Sequence, residues 1–160
     1  MRLRQLAAQD WDGVVALEAG AYGGSGLSEE RAAFESRARS SPGTCFVLET
    51  ARRPAGYLLA LPYPMYRYPD LQRPEETVFR TSHLHLHDLV VAPEHRGEGL
   101  ARWLLRHLTR TARARGYERV SLIAVAGSRG FWSANGFDAR PEAMLPASYG
   151  PRAAYMSKAV

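Results

Sequence analysis

The chain has one cysteine, Cys45, one lysine, Lys158, and no Gly/Ser-rich linker. A lone thiol excludes an internal disulfide and a cysteine-rich zinc site. No apolar run approaches the roughly 18 residues that a membrane span needs. The opening Met1 to Asp10 has no apolar core of the signal-peptide kind. A cytoplasmic location with no membrane partner is the expectation. There is no run of five Lys or Arg and no basic tail, so nucleic acid is not an expected partner. The formal net charge is nevertheless +5, carried almost wholly by arginine, and suits an anionic ligand.

What is present is an ordinary globular composition, 46% hydrophobic and 23% charged over 160 residues. At about 150 residues per domain, one domain spanning 1–160 is expected. Arg2 to Leu6 alternates like a short strand. Gln9 to Ala19 carries Trp11, Val14, Val15 and Leu17 at helical spacing, with Asp10 as cap, and Gly20, Gly23, Gly24 and Gly26 then break the chain. Ser28 opens a second helix, with Arg31 where a capping box would want Glu, and Ser40-Ser41-Pro42-Gly43 ends it. Thr44 to Glu49 and Gly56 to Leu61 read as strands of a hairpin joined through Ala51 to Ala55. The proline- and tyrosine-rich stretch Pro62 to Pro69 cannot be regular for long; its tyrosines either line a cleft or pack a loop onto the body.

A long strand runs from Ser82 to Val91. Gly99 to Ala114 is an amphipathic helix with Leu100, Leu104, Leu108 and Ala112 in one stripe and Arg102, Arg106, Arg110 and Arg113 opposite, a solvated face whose first member could meet phosphate. Gly116 closes it. Arg119 to Val125, Phe137 to Ala139 and Ala153 to Ala159 read as strands, and Ser128 to Ala134 as a short helix. The order β-α-α-β-β-β-α-β-α-β-β implies an α/β mixture around a central sheet.

Chemistry concentrates in Leu86 to Ala101, read as strand, glycine-rich turn, helix. Gly97 and Gly99 let the backbone turn its N–H groups outward, and a helix N-terminus with Arg96 beside it favours an anion, a diphosphate above all. A dinucleotide fingerprint G-x-G-x-x-G/A is excluded, because Arg102 stands where its last Gly or Ala belongs and several strands precede it.

Arg96-Gly97-Glu98-Gly99-Leu100-Ala101 fits R/Q-x-x-G-x-G/A and resembles the acyl-CoA motif of the GNAT superfamily of N-acetyltransferases. Leu89 to Pro93 resembles that superfamily's fourth strand. Phe131-Trp132-Ser133-Ala134-Asn135-Gly136-Phe137 resembles its F-Y-x-x-x-G-F segment, in register with the first motif. The resemblance implies a mixed, mostly antiparallel sheet of six or seven strands, helices on both faces, and strands four and five splayed around acetyl-CoA. It implies that Leu89, Val90 and Val91 bond the pantetheine arm, and that Arg96, Gly97, Glu98, Gly99, Leu100, Ala101 and Arg102 hold the pyrophosphate. Ser128, Phe131 and Trp132 would flank the arm, and an N–H near Leu89 or Val90 would polarise the thioester.

The implied reaction moves an acetyl group to a primary amine of a small molecule or peptide by direct attack, without a metal; a homodimer is compatible with the sequence. His87 is the candidate base, with Asp88 expected on the opposite face. His83, His85 and His87 alternate and could equally form a packed polar row; their spacing suits a metal triad poorly. The family's thiolate-protonating tyrosine falls on Trp132, which cannot act as an acid, and its usual polar residue six before the Phe falls on Val125. Either the thiolate leaves unaided or another hydroxyl serves, for which Tyr149 is the candidate. Cys45 in an apolar strand is a core residue. Glu75, Glu76 and Asp70 could attract a cationic amine. Two rivals stand beside this reading: a catalytically weak acyl-CoA-binding module, motivated by Trp132, and a basic nucleic-acid-binding domain.

Overall fold

The computed structural model describes residues 1–51, 53–125 and 127–160. The hairpin expected through Ala51 to Ala55 forms, with Thr50 facing Arg53; Arg52 lies outside the described residues. The elements are β1 (Arg2–Gln5), α1 (Trp11–Tyr22), α2 (Arg31–Ser40), β2 (Cys45–Thr50), β3 (Arg53–Pro62), β4 (His83–Val91), α3 (Leu100–Ala114), β5 (Arg119–Ala124), α4 (Arg129–Ala134), β6 (Asp138–Ala139) and β7 (Ala154–Ala159). They build one seven-stranded sheet in the order β1-β2-β3-β4-β5-β7-β6. Every neighbouring pair is antiparallel except β4 and β5.

Helices cover both faces. On one, Leu104 and Leu108 of α3, with no exposed surface, pack on Phe46, Leu58, Leu84 and Leu86, joined by Trp132 and Phe137 from the α4 side. Each such leucine contributes about 1.5–3 kcal/mol of burial. On the other, Trp11 and Val14 of α1 and Phe34 of α2 cover Tyr57, Leu59 and Val90.

Two helix boundaries differ from the sequence reading. α1 continues through Gly20 to Tyr22. An interior glycine costs only about 0.5–1 kcal/mol against alanine, and the Tyr22 hydroxyl gains a 2.9 Å bond to Asp88. α2 starts at Arg31 rather than Ser28, and the Glu29 N–H just before it donates to the buried Glu18 carboxylate at 3.4 Å.

β4 carries the feature that shapes the site. Leu59 pairs with Asp88 and Ala60 with Leu86, so His87 is an extra residue, a β-bulge. Leu84, Leu86, Leu89 and Val91 all belong to the α3 face. His87 and Asp88 both turn to the α1–α2 face, where they meet Glu29 and Tyr22. The expectation that Asp88 points away from His87 is therefore corrected: strict alternation fails at the bulge.

Candidate functional site

The chain leaves β4 through Pro93–His95, a short 3-10 turn, and enters α3 after Gly97 (φ 84°) and Gly99 (φ 79°). Both glycines hold left-handed backbone that a Cβ would strain, and nothing lies within 4 Å of where those Cβ atoms would stand. The turn is open on its outer side. No backbone carbonyl among the described residues takes the amides of Gly97 to Arg102; the first helical bond runs from Trp103 N–H to the Gly99 carbonyl, 3.0 Å. Six amides without a backbone acceptor at the positive end of a 15-residue helix, with exposed Arg96 beside them, form a cradle that fits a diphosphate.

β4 and β5 pair only from His83–Arg119 to His85–Ser121 and then separate. Past that point the β5-facing edge of β4 is unladdered. Three adjoining cavities follow it inward. The first, about 390 Å³, is lined by Val91, Arg96, Gly97, Gly99, Leu100, Ala101, Arg102 and Phe131. The second, about 330 Å³, shares Val91, Arg96, Ala101 and Phe131 with it and adds Tyr22, Leu89, Val90, Ser128 and Trp132. The third, about 110 Å³, shares Tyr22, Leu89, Ser128 and Trp132 and ends on Glu29, His87, Asp88 and Tyr149. Of the residues expected around a bound arm and diphosphate, Glu98 contributes its amide but not its side chain, whose carboxylate lies 3.2 Å from His95 Nδ1.

The inner cavity is dominated by a buried polar network. His87 Nε2 lies 2.6 Å from Glu29 Oε2, while its Nδ1 is buried without a partner. The other Glu29 oxygen accepts from Arg37, whose Nε is 2.8 Å away. Arg37, wholly buried, also bonds Glu75 and the carbonyls of Asp70 (2.8 Å) and Arg73 (3.2 Å). Burial alone would raise the Glu29 carboxyl, but His87 and Arg37 outweigh it and hold it below the ordinary range. Burial lifts Asp88 to about 6, against the pull of His87 and of the Tyr57 and Tyr22 hydroxyls. His85, packed beside His87, is held well below the ordinary histidine value by burial, with His87 and Arg37 adding to it.

The sequence reading missed Glu29, Arg37, Tyr22 and Tyr57. One signal was available: Arg37 sits three and four residues from Phe34 and Ala33, on the apolar side of α2, where a charge demands a buried partner. Glu75 does not face the acceptor cavity as supposed, since Arg37 and the Tyr63 hydroxyl engage it. Asp70 and Glu76 line a separate outer groove. The tyrosines of the Pro62–Pro69 stretch strap loops together: Tyr66 reaches Glu142, and Tyr68 the Met144 carbonyl. Tyr149 does line the cavity, but its hydroxyl donates to the Pro69 carbonyl at 2.6 Å, and burial followed by Glu29 pushes its phenol above the ordinary value. Trp132 is in the core against Phe131 and Phe137. Burial pushes the Cys45 thiol up to about 12, which keeps it a core residue.

Among the described residues no three His, Cys, Asp or Glu side chains converge as a metal set. No helix among them is long and apolar enough to cross a membrane. Arg106, Arg110 and Arg113 line a groove with Trp103, Asn135 and Lys158, apart from the three cavities.

The fold is shared with solved structures of low sequence identity. Ard1 from Thermoplasma volcanium superposes with a TM-score of 0.75 at 18% identity, over 99% of this chain and 97% of that one. GphF, a GNAT-like decarboxylase in complex with isobutyryl-CoA, gives 0.73 at 21% identity over 99% of both chains. N-acetylglutamate synthase from Neisseria gonorrhoeae, complexed with coenzyme A and N-acetyl-glutamate, gives 0.75 at 18% identity over 99% of this chain and 34% of that one. No curated protein matches the chain in sequence. The family model of the acetyltransferase (GNAT) family matches residues 11–137, most of the chain and all of the cradle, the splay and the buried network, and the chain belongs to that family.

Proposed function

We propose that this chain transfers the acetyl group of acetyl-CoA to a primary amine by direct attack in a ternary complex. The observation that carries the reading is the continuity of the three cavities, from the unpaired amides of Gly97 to Arg102 to the buried His87–Glu29 pair. Arg96 and those amides would hold the diphosphate, with Leu100, Ala101 and Arg102 closing the cradle. The free β4 edge at Leu89, Val90 and Val91 would bond the arm as an added strand, flanked by Ser128, Phe131 and Trp132. An N–H of Leu89 or Val90 would meet the thioester oxygen as negative charge develops there.

The Glu29 carboxylate, held ionised, fixes the proton of His87 on Nε2 and leaves Nδ1 with a lone pair. His87 Nδ1 then takes the proton that the amine loses as its nitrogen bonds the carbonyl carbon, directly or through one water. The carbon–sulfur bond breaks, and the sulfur leaves as thiolate. A thiol of pKa about 8.5 departs with little help; Tyr149 would supply a proton only by exchanging its bond to Pro69 and against the burial that makes its phenol a weaker acid. Trp132 favours one second reading, an acyl-CoA-binding module with little turnover, because its indole cannot supply that proton.

Titration with acetyl-CoA and CoA, followed by thiol release over an amine panel, tests the proposal. Binding of both, turnover with an amine, and loss of turnover in His87→Ala with CoA binding retained are expected. Binding without turnover leaves the module; no binding of either overturns both.

A further inference from the structure

Among the described residues the inner cavity holds acceptors and no available charged donor. Its hydroxyls are already engaged: Tyr22 donates to Asp88 at 2.9 Å, Ser128 to the Val125 carbonyl at 2.7 Å and Tyr149 to the Pro69 carbonyl at 2.6 Å. His87 is bound to Glu29. Among the described residues no Lys or Arg lines this cavity. The guanidinium of Arg37 is occupied by Glu29, Glu75 and two loop carbonyls. Arg96 borders the outer chambers beside the cradle. The indole of Trp132 offers a single neutral N–H. The polar end is instead two carboxylates, Glu29 and Asp88, and the rest of the wall is apolar, with Leu27, Leu71, Ile123 and Val125.

A ligand carboxylate brought into this space would lose its water and gain no cation, while lying close to two like charges. An ammonium group or the amine derived from it finds lone pairs on Glu29, Asp88 and His87, and an alkyl or aryl stem finds leucine, isoleucine and valine side chains. Resting on the acyl-transfer reading above, we infer that the acceptor is an amine with an apolar stem and no carboxylate on the carbon bearing the nitrogen, which excludes free amino acids as the acceptor class.

Isoamylamine and leucine test this directly, since they share a branched stem and differ by the carboxylate. Isoamylamine has the more basic nitrogen, so a faster reaction cannot come from a larger free-base fraction. Thiol release from acetyl-CoA would be followed with each amine on the wild-type protein, together with CoA binding by calorimetry. The expected result is a kcat/KM at least tenfold higher for isoamylamine. A ratio below tenfold, or a preference for leucine, overturns the inference and leaves acyl transfer intact. Retained CoA binding with no thiol release for any primary amine of a wider panel overturns the acyl-transfer reading, and this inference with it.

Discussion

Nε2 of His87 stands 2.6 Å from Oε2 of Glu29, a contact between side chains 3% and 4% exposed and 58 positions apart. A buried carboxylate on one imidazole nitrogen orients the ring and leaves the other nitrogen to move a proton. General-base catalysis of this kind contributes about 10²–10⁴-fold. His87→Ala should lower kcat by about 100-fold or more, and Glu29→Gln by at least about tenfold, each with the CoA Kd changed less than about threefold. Steady-state kinetics and calorimetry on both variants decide it.

Asp88 gives a pH signature in stability. Its folded value, about 6, lies above the ordinary 3.8, so the folded state holds the proton more tightly. The chain should therefore gain stability from this group as pH falls through 6 toward 3.8, by about 1 kcal/mol between pH 8 and pH 5 and by at most about 2–3 kcal/mol in full. Glu29 acts oppositely, its contribution being lost only as pH falls below its ordinary value of 4.5 and through its lowered folded one. Urea unfolding at pH 8 and pH 5 should show Asp88→Asn losing ground to the wild type on the acid side. An unchanged difference would contradict the assignment.

Arg37 is the pin between α2, the 63–76 loop and the Glu29–His87 pair. Arg37→Met leaves two buried carboxylates without their cation. The expected cost is about 3–5 kcal/mol, read as a fall in the urea midpoint at unchanged slope.

Gly99 precedes α3 with φ 79° and open space around it, so alanine there is strained without a clash. Gly99→Ala should cost about 1–2 kcal/mol and weaken CoA binding by at least about threefold as the cradle's amides re-aim. Thermal unfolding and calorimetry separate the two effects.

Tyr149→Phe removes the donor to the Pro69 carbonyl. A stability loss of about 1 kcal/mol is expected, with kcat down about tenfold and KM unchanged if the phenol protonates the thiolate. An unaltered kcat would mean that the sulfur leaves unaided.

The element order, the amphipathic α3 and the cradle were legible because each rests on local pattern: Leu100, Leu104 and Leu108 at helical spacing, Gly97 and Gly99 before them. The buried network was not, because His87 meets Glu29 from 58 positions away, Arg37 meets Glu75 from 38, and Asp88 meets Tyr22 from 66 and Tyr57 from 31. Asp88 was assigned to the wrong face because His-Leu-His-Leu-His reads as unbroken alternation, and nothing in those residue types announces a bulge. Glu75 was read as a lure for cations because its partner, Arg37, is 38 positions away in sequence. Sequence pattern reports what one element does alone; charges closed inside the molecule report on pairs of elements.

The bulge also separates scaffold from chemistry within one strand. The ladder counts Leu86 and Asp88 as successive rungs, against Ala60 and Leu59, and passes over His87. A chain shortened by that single residue would keep every flanking side chain on its present face, with Leu89 still under α3 and Val90 still against α1. A shortening in the strand outside His87 and Asp88 would invert one half relative to the other. His87, on which the proposed proton transfer depends, is thus a residue the ladder passes over, and the sheet would keep its pattern without it.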